Sequence, residues 1–145
     1  RYNDIATNQN LIGKYKVLMG KVLSGHLGET NEEGQVKVIA TLQVASPKEV
    51  STDSYLVIGE FYSLIQANNL MQYLRTRFLR FLLLQSLVSM NISRNNFRFV
   101  PLQDFTDKSD IDWEKSVSEI DQQLYTKYGL SEDEISFIES MIRPM

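Results

Sequence analysis

The 145-residue chain has no cysteine, one histidine and three prolines. Without cysteine there is no disulfide, no thiolate zinc site and no cysteine nucleophile, which fits a cytoplasmic setting. A single histidine, His26, makes a Ser/His/Asp triad or a His-rich metal site hard to assemble. A lone histidine in a glycine-rich loop is ordinarily just solvent-exposed. Apolar runs such as Phe81–Leu84 fall far short of the ~20 residues a membrane-spanning helix needs, so no membrane partner is expected. Neither standard glycine-rich phosphate loop occurs, because G-x-G-x-x-G and G-x-x-x-x-G-K-[ST] are both missing.

One further absence concerns charge. The formal net charge is −3, yet residues 61–103 hold no Asp or Glu and keep five arginines, Arg75, Arg77, Arg80, Arg94 and Arg98. Residues 1–60 carry six basic and seven acidic groups, and residues 104–145 carry four and eleven. A basic centre is thus followed by an acidic tail.

The length suits one hydrophobic core. Residues 1–13 are polar and aperiodic and are expected to be a connecting segment within a longer chain, with residues 14–145 forming a single domain. Strand patterns occur in Lys14–Leu23, Val36–Val44 and the apolar run Tyr55–Phe61, which suits burial on both faces. The stretch from Ser24 to Gln35, rich in glycine and including His26, is expected to be an exposed, mobile loop. Leu64, Ala67, Met71 and Leu74 recur at helical spacing after Ser63, a suitable N-cap. "TRFLRFLLLQSLVSM" is apolar almost all round, as an interior helix would be. "SRNN" has turn chemistry, and "FRFVP" is expected to be a short strand stopped by Pro101. "DWEKSVSEIDQQLYTKYGL" should be a helix ending at Gly129 in the C′ position, and Ser131 with Glu134 forms a capping box for a last helix. Strands first and mostly helices afterwards predict an α+β fold. Its small mixed or antiparallel sheet comes from the N-terminal half and packs with about four helices, mostly in the C-terminal half.

Three stretches suggest metals only superficially. "DKSDID" (Asp107–Asp112) has Asp112 where a calcium-binding EF-hand loop needs glycine, so it is better taken as a solvated helix entry, with Asp110 or Asp112 near a helix N-terminus. A metal-dependent nuclease would need clustered carboxylates and a lysine near a strand end. "GQVK" (Gly34–Lys37) and "DWEK" (Asp112–Lys115) approach this without a convincing partner carboxylate.

The arginines carry more information. Arg77 and Arg80 stand three apart on one expected helix, and Arg94 and Arg98 flank a turn holding Asn95 and Asn96. Guanidinium planes suit phosphates and guanine edges, and Asn amides suit adenine edges, so this composition can engage nucleic acid. The competing assignment pairs some of these arginines internally with the acidic tail.

"DSYLVIGEF", "YLRTRFLRFLL", "FRFVPLQDF" and above all "IDWEKSVSEIDQQLYTKYGLSEDEISFIESMIRPM" together resemble the C-terminal region of bacterial restriction-modification adenine-specific DNA methyltransferases. The likeness runs from about Lys14 to the C-terminus. It implies a target-recognition region that follows a catalytic domain and binds duplex DNA. It also implies a parent enzyme that transfers a methyl group from S-adenosylmethionine to adenine. The Asn/Asp-Pro-Pro-aromatic motif of that chemistry is missing, since Pro47, Pro101 and Pro144 are isolated from one another. This region is therefore expected to bind no cofactor and to be non-catalytic. The expected DNA-contacting residues, drawn from composition and position, are Arg94, Asn95, Asn96 and Arg98, then Arg77, Arg80 and Arg75, with His26 and Lys21 near the glycine-rich loop. A second possibility is a docking domain that packs on the catalytic domain or another subunit.

Overall fold

A computed structural model describes residues 11–21, 30–87 and 92–145. The part of the connecting segment before residue 11, His26 and the first half of the glycine-rich loop lie outside the described residues. Three strands, β1 (Tyr15–Gly20), β2 (Leu42–Ala45) and β3 (Tyr55–Phe61), form an antiparallel sheet in the order β2-β1-β3. Four α-helices follow: α1 (Leu64–Arg75), α2 (Arg77–Ser86), α3 (Val117–Lys127) and α4 (Glu132–Met141). A 3₁₀ helix, Arg94–Phe99, lies between α2 and α3. The fold is α+β, as the order of sequence patterns implies.

The central strand is β1, not the apolar β3. Lys16, Val17, Leu18 and Met19 are all buried, whereas β3 is at an edge and half-buried along most of its length. Continuous hydrophobicity alone cannot tell a central strand from an edge strand that is lined by other elements. Lys16 tolerates this position because its Nζ donates to the carbonyls of Lys14 (2.9 Å), Leu11 (3.0 Å) and Ser46 (3.4 Å). Burial pulls its ammonium below the ordinary lysine range. A bulge at Ile58 shifts the β1–β3 register between Val17 and Leu18. At Gly59 the sheet and α1 approach so closely that a Cβ would lie 2.5 Å from the Leu70 side chain.

The second expected strand is shorter than its pattern. Val38 and Ile39 are buried, but ladder pairing covers only Leu42–Ala45. Val36 instead joins the C-terminal end of the chain: its N–H donates to Met141 O (2.7 Å) and its carbonyl accepts from Arg143 N (3.0 Å). Asn31 orders the preceding turn by accepting from the amides of Glu33 and Gln35, with Gly34 at φ +81°.

The helix signals are local, and the chain uses them. Ser63 accepts from Gln66 N, Ser131 and Glu134 form a reciprocal capping box, and Gly129 has φ +64° just past α3. α3 itself begins later than the acidic stretch suggests. Ser116 caps it with Glu119, so Asp110 and Asp112 sit in the preceding loop, where Asp110 pairs with Lys127 at 2.8 Å. α1 lies across β1 and β3, and α2, α3 and α4 close the other side of a core that includes Val17, Leu74, Leu79, Leu83, Ile120 and Leu124. α2 is less interior than its composition suggests: Phe78, Leu79 and Leu83 are buried, while Phe81, Leu82 and Leu84 are half-buried.

Candidate nucleic-acid interface

The five arginines of the carboxylate-free stretch separate into two groups. Arg80 is only 2% exposed. Its Nε donates to the carbonyls of Arg75 (3.2 Å) and Thr76 (3.1 Å), its Nη2 to Arg75 O (2.9 Å) and its Nη1 to Arg143 O (2.6 Å). Two of these acceptors are at the negative end of the α1 dipole, and the third belongs to the C-terminal segment. Burial pushes the Arg80 guanidinium down to about 10, against the opposing charge of Asp121. Arg77 is half-buried and donates from Nε to Ile142 O (3.0 Å). Arg75, also half-buried, reaches Gln72 Oε1 (3.2 Å).

Arg80 is therefore buried and bonded within the fold, away from the surface expected for it, and Arg77 holds the C-terminal segment through Ile142 O. The expected pairing of these side chains with acidic residues is only partly right. The partners are backbone carbonyls, and the one acid involved, Asp121 of α3, caps α2 by accepting from the amides of Arg77 (3.0 Å) and Phe78 (2.9 Å). Burial raises the Asp121 carboxyl above the ordinary aspartate range, opposed by those two amides and then by Arg80 and Arg77. The missing carboxylates have a physical reason here. An acid on α1 or α2 near Arg80 would compete with the carbonyls that this guanidinium has to satisfy.

The second group is on the 3₁₀ helix. Here the expected "FRFVP" strand is absent. Asn96 Oδ1 accepts from Ser93 N (2.7 Å) and Ser93 Oγ (3.2 Å), its Nδ2 donates to Ser86 O (2.9 Å), and its carbonyl accepts from Ser86 Oγ. These side-chain bonds curl the backbone instead of letting it extend. The curl ends at Val100, in the extended conformation favoured before a proline. Asn96 is consequently 9% exposed and structural, which removes it from the expected DNA-contacting set.

Arg94, Asn95 and Arg98 remain exposed on this turn. The Arg98 guanidinium lies over the Phe99 ring at 4.9 Å from its centroid. Lys21 is brought close by the backbone, since its carbonyl accepts from Ile92 N (2.7 Å) and its amide donates to Ser54 O (3.0 Å). Lys21 and Arg94 line one shallow cleft, which also holds Glu49 and Asp53. The fold thus brings Lys21, Arg94, Asn95 and Arg98 to one region and leaves Arg75, Arg77 and Arg80 behind it. Guanidinium groups on a short exposed turn, with the half-buried Lys21 beside them, can bind phosphate oxygens or base edges without further chemistry.

Sequence patterns gave no sign of the neighbouring surface. Leu102 (94% exposed) lines a groove of about 920 Å³ between β3, α1 and residues 100–106, and Phe99 (55% exposed), Tyr62 and Ile65 are exposed in the adjoining segments. The hydrophobic residues in "FRFVPL" and "FYSLI" were the available signal, but periodicity assigns such residues to the core by default. Among the described residues no group of three or more His, Asp or Glu side chains is placed to hold a metal ion, and no helix is long and apolar enough to cross a membrane. Comparison of the chain with protein-family models, with curated proteins and with solved structures found no match.

Proposed function

We propose that this chain is a DNA target-recognition region of a restriction-modification adenine-specific DNA methyltransferase, working beside a separate catalytic domain. The cytoplasm is its place of action, and duplex DNA and that domain are its partners. The reading rests on the resemblance of the C-terminal stretches and on one structural observation. Arg94, Asn95 and Arg98 stand exposed on a single turn beside Lys21, within a part of the chain that carries no carboxylate. Methyl transfer from S-adenosylmethionine belongs to the catalytic domain in this proposal, and the residues described here supply grip and register on the duplex.

The turn and the helix arginines have different expected effects. In the longer methyltransferase, Arg94→Ala or Asn95→Ala is expected to relax discrimination among related DNA sites by about 1–3 kcal/mol at one base position. Arg75→Ala should leave site preference unchanged. Methylation of a library of single-base site variants by each mutant enzyme measures this. Unaltered preference in both turn variants would remove the turn from the reading surface. The docking alternative is favoured by a different observation, the groove bordered by Leu102, with Phe99, Tyr62 and Ile65 exposed in the adjoining segments.

A further inference from the structure

The groove beside β3 has an uncommon lining. Val57, Ile58, Gly59, Glu60 and Phe61 all border it, five consecutive residues of one strand. Successive side chains of a strand point to opposite faces, so a cavity bordered by such a run lies along the strand's edge. That edge is the one turned away from β1, and among the described residues no strand pairs with it. β3 is seven residues long, with neither Lys nor Pro, and its single charge, Glu60, is held by Lys14 at 2.8 Å. Within the strand, the bulge at Ile58 works against further pairing.

The opposite wall is Val100–Thr106. Its carbonyls at Pro101, Asp104 and Phe105 already accept from Tyr73 Oη (2.8 Å), Trp113 Nε1 (2.9 Å) and Asn69 Nδ2 (2.9 Å). This wall therefore offers side chains, and the backbone donors and acceptors come from β3. Gln66, Leu70 and Tyr73 of α1 form the floor. Phe61 and Phe105 meet edge to face, with centroids 6.1 Å apart, and close one end. Asp104 stands at that end, and Arg94, which also lines the cleft bordered by Val57, stands at the other.

We infer that the groove takes an extended segment of a partner polypeptide, which adds to β3 as a fourth strand. The occupant is specified by chemistry: backbone amides for the open edge, apolar side chains for the floor, a cation toward Asp104 and an anion toward Arg94. Two copies of this chain pairing β3 to β3 fit poorly, because residues 100–106 stand where a second sheet would have to come. The inference shares Arg94 with the DNA-binding proposal and otherwise uses different residues, so its failure would leave Lys21, Asn95 and Arg98 as proposed DNA contacts.

The test uses the chain itself and a display library of random dodecapeptides. Enriched peptides are expected to alternate apolar residues and to carry opposite charges at their two ends. One such peptide, synthesised and titrated into isotope-labelled protein, should shift the amides of residues 57–61 and 100–106 and give inter-chain contacts typical of paired strands. Leu102→Lys, at a 94% exposed position that folding does not depend on, should weaken binding about tenfold. No enrichment, shifts confined to another surface, or a peptide bound as a helix would overturn the inference.

Discussion

Arg80→Ala is expected to destabilise the fold by about 3–5 kcal/mol, a loss typical of breaking a buried charged network. The truncation leaves the carbonyls of Arg75 and Arg143 without their guanidinium donor in a place that water reaches poorly, while Thr76 O keeps the Arg80 amide, and it opens a void where a large side chain was 2% exposed. The C-terminal segment then keeps its main-chain bonds to Val36 and the Arg77 bond to Ile142 O, and loses the second of its two anchors on α2, the Arg80 bond to Arg143 O. For a chain of this length such a loss corresponds to a fall in melting temperature of roughly 10 °C. Arg80→Lys should recover only part of it, because one ammonium cannot span acceptors on both segments. Asp121→Ala should be comparably damaging, since it strips the Arg77 and Phe78 amides and removes the charge facing a buried guanidinium. Thermal and urea unfolding of the three variants check this. An Arg80→Ala protein as stable as the parent would show that the guanidinium is solvated after all.

Trp113→Ala should cost about 3–5 kcal/mol, the usual range for deleting a large buried aromatic. Trp113 is the one tryptophan of the chain and is 5% exposed. It packs against Phe105 (5.3 Å between centroids) and Tyr73 (5.7 Å), and its Nε1 donates to Asp104 O and Ser109 Oγ. It therefore fixes the segment carrying the far wall of the groove, not only a part of the core. Trp113→Phe keeps most of the packing and loses the N–H, so about 1 kcal/mol is expected for it. Urea unfolding followed by circular dichroism separates the two variants, because neither retains a tryptophan to report. Equal losses in both would place the stabilisation in the hydrogen bonds instead of the ring.

What could be read in the residues beforehand divides along the range of the interactions. Ser63, Gly129 and the Ser131–Glu134 pair act within a few positions of themselves, and each does in the fold what its spacing implies. Arg80 could not be placed in that way, because one of its acceptors, Arg143 O, lies 63 positions along the chain. The same holds for Val36, whose partners Met141 and Arg143 turn an expected strand into an isolated bridge with the C-terminus. "FRFVP" fails for a different reason. Its alternation is compatible with both a strand and a 3₁₀ turn, and the decision lies with the Asn96 amide, which finds Ser86 and Ser93. The candidate interface follows the same division: residue type singled out Arg94, Asn95 and Arg98, and only the fold showed that Asn96, Arg77 and Arg80 are engaged elsewhere.

We propose that Lys21, Arg94 and Arg98 face DNA, while Arg77 and Arg80 hold the C-terminal segment on α2. Fluorescence anisotropy of a labelled short duplex, titrated with the chain between about 50 and 200 mM salt, tests it most directly. Three phosphate contacts predict a slope of log affinity against log salt of about −2.7, falling to about −0.9 in the Arg94→Ala/Arg98→Ala double variant. Arg75→Ala should keep the full slope. A flat salt response in the unaltered chain, or a double variant that binds as it does, would contradict the account.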